Sequence, residues 1–177
     1  MDRNTYDQAV EKTLAMLDEQ KIVITPEEHA QVEVVDFGLG RLAETGLQLI
    51  TYVNTNRCCA KELVLFPHQT CAEHIHPTLN NIPRKEETFR CRAGEVYLYV
   101  DGTPTEPISV RVPPGVYTVF HQVHLKPGEQ YTLAPDTKHW FQGGAEGAIV
   151  SEFSTRSNDN TDIFTDPALC RTPVVEP

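Results

Sequence analysis

The sequence is short of basic residues. Fifteen Lys and Arg stand against 25 Asp and Glu in 177 residues, a formal charge of −10. Nucleic-acid binders draw much of their affinity from Lys and Arg against phosphates, and anionic membranes attract polybasic segments. The balance argues against both partners. Long apolar runs are also missing: none approaches the ~20 residues that a membrane helix needs. Asp2, Arg3, Asp7, Glu11 and Lys12 interrupt the start of the chain, so a signal-peptide core is absent as well. There is no C-x-x-C. The cysteines are Cys58, Cys59, Cys71, Cys91 and Cys170, an odd number with two adjacent, which suits reduced thiols and a cytoplasmic protein better than a disulfide framework. No internal repeat or low-complexity linker divides the chain, and its length fits one domain.

What charge there is sits unevenly. Residues 1–33 hold eight acids against three bases, residues 151–177 five against two, and the middle twelve against ten. The flanks therefore read as an acidic, solubilising jacket around a near-neutral centre. The first 20 residues read as a helix, with Thr5 and Gln8 as a capping-box pair and Val10, Leu14 and Leu17 as an apolar stripe. Thr25-Pro26-Glu27-Glu28 marks a second, short helix.

From residue 46 the period changes to two. Runs around 47–53, 59–66, 86–91, 95–100, 116–125, 130–133, 138–142 and 147–154 are rich in Val, Tyr, Phe, Leu and Thr. Breakers separate them: Pro67, Pro77, Pro83, Gly94, Asp101-Gly102, Pro113-Pro114-Gly115, Pro127-Gly128 and Gly143-Gly144. Many short strands with turn signals predict an all-β sandwich or barrel. The expected layout is a helical extension over 1–35, a barrel over 36–167 and a surface-wrapping tail over 168–177.

One constellation carries chemistry. His74 and His76 are two residues apart, so on a strand both imidazoles share a face. Glu87 opens a later run and stands seven positions before Gly94, while His139 follows Gly128 by a run and a tight turn. Three imidazoles and a carboxylate suit a six-coordinate divalent ion with two exchangeable positions: Mn²⁺, Fe²⁺, Co²⁺, Ni²⁺ or Zn²⁺. Glu86 and Glu73 are alternative carboxylates, though only Glu87 keeps the spacing to Gly94.

The two blocks resemble the cupin motifs, G-x5-H-x-H-x3–4-E-x6-G and G-x5-P-x-G-x2-H-x3-N. His68 stands for the leading Gly of the first, and ten residues separate His76 from Glu87. The second keeps the Gly128-to-His139 spacing with Ala134 and Asp136 in place of Pro and Gly, and Gly143 in place of Asn. Further segments bring the likeness closer: Cys59-Ala-Lys-Glu-Leu-Val-Leu-Phe-Pro67, Glu73-His-Ile-His-Pro77, Glu87-Thr-Phe-Arg-Cys-Arg92, Lys138-His-Trp-Phe-Gln142 and Asp162-Ile-Phe-Thr-Asp-Pro167. In this order they resemble the cupin D-lyxose isomerases over roughly residues 36–167. The resemblance implies a cupin jelly-roll β-barrel with N-terminal helices and a homodimer. It further implies an aldose–ketose isomerase for lyxose and xylulose, often also mannose and fructose, with Mn²⁺ preferred.

Moving a proton between C1 and C2 of a sugar requires a base inside the barrel. Glu152 alternates onto the face of Ala148 and Val150, where a carboxylate is costly unless paired or functional; the converse reading buries Ile149 and Phe153 instead. Lys61 shares a face with Leu63 and Leu65, and Glu62 with Val64 and Phe66, so alternation alone does not choose between them. The resemblance favours Lys61, as a second catalytic residue that hydrogen-bonds a substrate hydroxyl or donates a proton to developing negative charge. Phe89, Trp140 and Phe141 flank the ligand runs and are expected in the core or pocket wall, with Phe89 and Trp140 as substrate contacts. His29, His68, His121 and His124 read as surface or structural. Three rival readings share these residues: an isomerase of a phosphorylated sugar, which would need Arg57, Arg90 and Arg92 at the barrel mouth; a dioxygenase using Fe²⁺ and O₂; and a non-catalytic, metal-dependent sugar-binding cupin.

Overall fold

A computed structural model describes residues 1–80, 85–172 and 174–176. Two helices, α1 (Arg3–Glu19) and α2 (Pro26–His29), precede nine strands among the described residues. The strands are β1 (Glu33–Val35), β2 (Leu47–Asn54), β3 (Cys59–Leu65), β4 (Thr70–Ile75), β5 (Glu87–Val100), β6 (His121–Leu125), β7 (Gln130–Leu133), β8 (His139–Ser154) and β9 (Ile163–Phe164). The architecture is the all-β cupin jelly roll, with every strand pair antiparallel.

Two long strands, β5 and β8, organise it. They pair with each other from Glu87↔Ser154 to Val100↔His139. The C-terminal half of β8 also pairs with β3, which leads on to β2 and β1, while the N-terminal half of β5 pairs with β7. The other halves of β5 and β8 join β6, β4 and β9. Each long strand thus belongs to two sheets that face one another.

Gly94 and Gly143-Gly144 do not break these strands, as their composition suggested; they let them turn the barrel corner. Gly94 has φ +64°, and a Cβ there would lie 2.1 Å from the Gly147 carbonyl oxygen. Only glycine tolerates both the left-handed backbone and that approach. Register shifts lie between Cys91 and Ala93 and between Gly94 and Val96. The bulges change which side chains point inward. Glu87, Phe89 and Cys91 line the barrel interior before the corner, and Val96, Leu98 and Val100 after it. In β8 the same happens: His139 and Phe141 point inward, then Ala148, Val150 and Glu152.

α1 covers the outer face of one sheet. Ala9 and Leu17 pack on Val34, Ile50, Val64 and Ile149, each fully buried aliphatic being worth about 1.5–3 kcal/mol. The helix starts earlier than the Thr5–Gln8 pair suggested, because the Asp2 carboxylate accepts from the Thr5 N–H at 2.9 Å and supplies the cap. At α2 the expected capping box is present, with Thr25 and Glu28 satisfying each other's backbone N–H. The expected run 116–125 forms a strand only from His121, and β4 appears where no run was expected. Its residues Thr70–Glu73 are all buried, so no polar alternation marks it.

Candidate active site

The corner-turning of β5 and β8 assembles one tight cavity inside the barrel. One wall is apolar, including Leu49, Leu63, Phe89, Phe141 and Phe164. The other carries His74, His76, Glu87, His139, Glu152, Lys61 and four charged groups that the sequence reading had not assigned: Lys85, Asp159, Asp162 and Arg171.

His74 on β4 pairs in register with His139 at the start of β8, and His76 follows just past the end of β4. The ligand atoms of the three imidazoles lie within 4.8 Å of one another. Each Nδ1 faces an oxygen: the Ala72 carbonyl at 2.8 Å, Asp162 Oδ1 at 2.6 Å and the Thr137 carbonyl at 2.9 Å for His74, His76 and His139 respectively. Carbonyl and carboxylate oxygens only accept, so each Nδ1 holds a proton and Nε2 is the atom left to ligate once the ring is neutral. Burial would lower the pKa of His76, but Glu87 and Asp162 outweigh it and raise it to about 9. Nε2 of His76 and of His139 is buried without a hydrogen-bond partner. Glu87 Oε1 lies 3.2 Å from both.

A cation between them would satisfy both imidazole nitrogens and the carboxylate oxygen at once. The donors therefore fit a divalent cation. The alternatives to Glu87 are engaged elsewhere or exposed. Glu73 accepts from the Thr118 and Val119 N–H groups and from the Thr118 and Thr165 hydroxyls, and Glu86 is on the surface.

Electrostatics point the same way. Burial, with His139 and His76 alongside, holds His74 well below the ordinary histidine pKa, so it stays neutral and able to ligate. Burial would raise Glu87, but Lys85 and His76 outweigh it and hold the carboxylate well below its usual range. Burial would lower Lys85, yet Glu152, Glu87 and Asp159 keep it charged.

Glu152 is 3% exposed and lies on the inner face of β8, in register with Lys61 on β3 and Phe89 on β5. Lys85 Nζ lies 2.7 Å from Glu152 Oε1 and 2.7 Å from Glu87 Oε2, bridging the ligand carboxylate and the free one. Lys61 points inward as well, 4.0 Å from Glu152, and its Nζ donates to Asp159 at 2.7 Å and to Ser157 at 3.1 Å. Glu62 takes the other face, where Ser151 and Tyr52 hydroxyls donate to it. Both faces of the β8 end are used, because α1 covers Ile149 while the barrel covers Val150.

Three expectations change. Trp140, grouped with the substrate contacts from its neighbours, lies on the outward face of β8: alternation sends His139 and Phe141 in and Trp140 out. There it stacks on Tyr99 with ring centroids 4.0 Å apart and donates to the Val119 carbonyl at 2.8 Å. Phe141, not Trp140, is the aromatic that lines the cavity beside Phe89. The C-terminal flank is not merely a solubilising jacket, since Glu152, Asp159 and Asp162 all line the cavity. Nor is the tail confined to the surface. Arg171 reaches the cavity and pairs with Asp159 at 3.1 Å, and the Met1 ammonium donates to the Val174 carbonyl at 2.9 Å. The signals for these groups were faint. Lys85 lies in the long spacer before Glu87, Asp162 in a segment singled out without a role, and Asp159 and Arg171 in irregular chain.

Arg90 donates to Gln130 and Arg92 to Ser151 on the outer sheet face, and Arg57 lies in an exposed turn. None of the three lines the cavity. His121 bonds the Thr103 carbonyl, His124 pairs with Glu95 and stacks on Tyr97, and His68 occupies a turn, all away from the site.

Known proteins resemble this chain in sequence and in fold. The chain is 59% identical over 174 residues to the D-lyxose ketol-isomerase of Cohnella laeviribosi, covering 97% of this chain and 96% of that protein. It is 60% identical over 169 residues to the D-lyxose/D-mannose isomerase of Thermosediminibacter oceani, covering 94% and 93%. Among solved structures, the L-ribose isomerase of Cellulomonas parahominis superposes with a TM-score of 0.76 at 17% identity over 99% of this chain and 98% of that one, a likeness of fold. The family model for D-lyxose isomerase matches residues 12–177, every ligand and cavity residue described above among them, and the chain belongs to that family.

Proposed function

We propose that the protein interconverts D-lyxose and D-xylulose, and also D-mannose and D-fructose, through a cis-enediol. The observation that carries this reading is the set of four donors, with Nε2 of His76 and of His139 unpartnered around Glu87 Oε1, and a second carboxylate, Glu152, joined to Glu87 through Lys85 in the same cavity. The identity of 55–60% to proteins named for these sugars supports the substrate class.

A divalent cation held by His74, His76, Glu87 and His139 supplies Lewis-acid stabilisation for the negative charge that develops on substrate O1 and O2. Glu152 takes a proton from C2 of the aldose, exchanges it with solvent and delivers a proton to C1 of the enediol. Lys85 fixes the carboxylate at its Oε1 and balances part of the charge of the site. Lys61 binds a substrate hydroxyl and delivers a proton between the two oxygens, turning from Asp159 to do so. Phe89 and Phe141 form the apolar wall that limits water near the reacting carbons. Mn²⁺ is the proposed native ion; the nitrogen and oxygen donors also admit Co²⁺, Fe²⁺, Ni²⁺ and Zn²⁺.

Isomerisation of D-lyxose in deuterated water tests the route. Proton transfer through Glu152 puts solvent deuterium on carbon of the product; complete retention of the substrate hydrogen would exclude it. No turnover on any aldose–ketose pair would remove the assignment.

The active form is proposed to be a homodimer. Phe153 is half exposed on the outer sheet face, in register with Ala60 and Thr88, and Tyr52 and Val53 add apolar surface on the adjoining strand. Such a row is commonly covered by another copy. Sedimentation at working concentration should give twice the 19.9 kDa chain mass. The proposed compartment is the reducing cytoplasm, in keeping with five free thiols, of which Cys58 and Cys170 are exposed.

A further inference from the structure

We propose that Asp162 is a positioning residue that makes cation affinity depend on the docking of the 159–171 segment, and that docking depend on the cation. This inference rests on the divalent-cation reading of the site.

The three imidazoles are oriented in two different ways. His74 and His139 are each held by a carbonyl two residues earlier in the same stretch of chain, Ala72 and Thr137. Those acceptors are in place whenever the strands form. His76 is different. It lies past the last residue of β4, and its Nδ1 is held by a carboxylate 86 residues away, Asp162 Oδ1 at 2.6 Å. Both side chains are nearly buried, at 8% and 7% exposed. Without Asp162 nothing else among the described hydrogen bonds orients that ring.

Asp162 stands between a 3-10 turn, Asp159–Thr161, and β9. The same segment closes the cavity by three further contacts. Asp159 accepts from Lys61 at 2.7 Å and from Arg171 at 3.1 Å. Phe164 packs against the rings of His74 and Phe37, with centroids 5.8 and 5.4 Å apart. β9 pairs with β4 through His74↔Phe164 and Ile75↔Ile163. A ligand oriented by a segment favours that segment's docked state, and linkage requires the converse: a cation that uses His76 stabilises the docked segment. A carboxylate is also the stronger orienting partner, since it raises the basicity of the opposite nitrogen.

The test uses the full chain, with Mn²⁺ and Co²⁺ as probes. D162A removes both acceptor and charge and is expected to weaken Mn²⁺ binding about 10–100-fold and to alter the visible spectrum of the Co²⁺ protein. D162N keeps an oxygen that accepts the Nδ1 proton, so its loss should be smaller. A merely structural Asp162 would lower the melting temperature without moving either readout. Mn²⁺ affinity within twofold of the parent, with an unchanged Co²⁺ spectrum, would overturn the proposal. If D162A does not fold, hydrogen exchange on the unmodified protein decides. Mn²⁺ should slow exchange at residues 159–164, and equal rates with and without the ion would refute the coupling. A parent chain that binds neither ion would instead overturn the reading of the site itself, and this inference with it.

Discussion

Replacing Glu152 by Gln is expected to lower kcat on D-lyxose by about 10³-fold, inside the 10²–10⁴ that a positioned acid–base group contributes. Gln is nearly isosteric, and its amide oxygen can still accept from Lys85, which sits 2.7 Å from Glu152 Oε1. Lys85 also keeps Glu87 as a partner at 2.7 Å, so the variant strands no unpaired ammonium. Fold and cation affinity should therefore stay close to those of the parent, and KM should change little. What is lost is the group that carries the carbon-bound proton. Turnover and solvent-deuterium exchange should fall together, measured beside Mn²⁺ binding on the same preparation. Parent-like kcat would move the base to another residue. An Ala at this position is the poorer probe, since it leaves Lys85 and Lys61 around an emptied volume. Breaking one partner of a buried ion pair costs about 3–5 kcal/mol by itself.

Removing the divalent ion is expected to abolish activity and to lower the melting temperature substantially. The fold holds the donors at short range, with Glu87 Oε1 3.2 Å from two imidazole nitrogens. An ion that binds only the folded chain, present at 1,000 times its Kd, adds about 4 kcal/mol. For a chain of this size that corresponds to roughly 8–16 °C in Tm. Scanning calorimetry with chelator, then with excess Mn²⁺, measures the shift, and an assay on the same samples measures turnover. Restoring the ion should recover both. A melting temperature indifferent to chelator and to Mn²⁺, together with unchanged turnover, would remove the cation from stability and catalysis alike. Of the ligands, His139 is the informative one to replace. H139A should lose the Tm response to Mn²⁺, while losing stability in the ion-free form through packing against Phe89 and Phe141 and through the bond to the Thr137 carbonyl.

Much of the site was legible from spacing. His74 and His76 share a side because strand alternation has period two, and Glu87 keeps its distance from Gly94 because the motif spans one half of a long strand up to its corner. Trp140 was misread for a reason that alternation itself supplies: it follows an inward histidine directly and so must point out. Lys61 and Glu62 could not be separated, because both faces of β3 are buried, one by the barrel and one partly by α1 and by Tyr52. The two merged strands were hidden by their glycines. At Gly94 and Gly147, with φ of +64° and +77°, glycine signals a bend inside a strand as readily as a break between two.

The sequence by itself pointed to the all-β architecture, to His74, His76, His139 and Glu87 as candidate donors and to Glu152 on one of two open readings of its strand, because each rests on a local period or a fixed spacing. Tertiary structure alone decided the charged side of the cavity. Lys85, Asp159, Asp162 and Arg171 lie on irregular chain or at strand ends, where no period assigns a direction to a side chain. They converge because β9 docks on β4 and the tail meets the first residues of the chain. Long-range closure of this kind leaves no periodic trace, since the partners of an ion pair are selected by burial and charge, not by their separation along the chain. The scarcity of basic residues takes on a sharper meaning in that light. Lys61, Lys85 and Arg171 are all held inside the barrel against acids that looked, in sequence, like part of a soluble fringe.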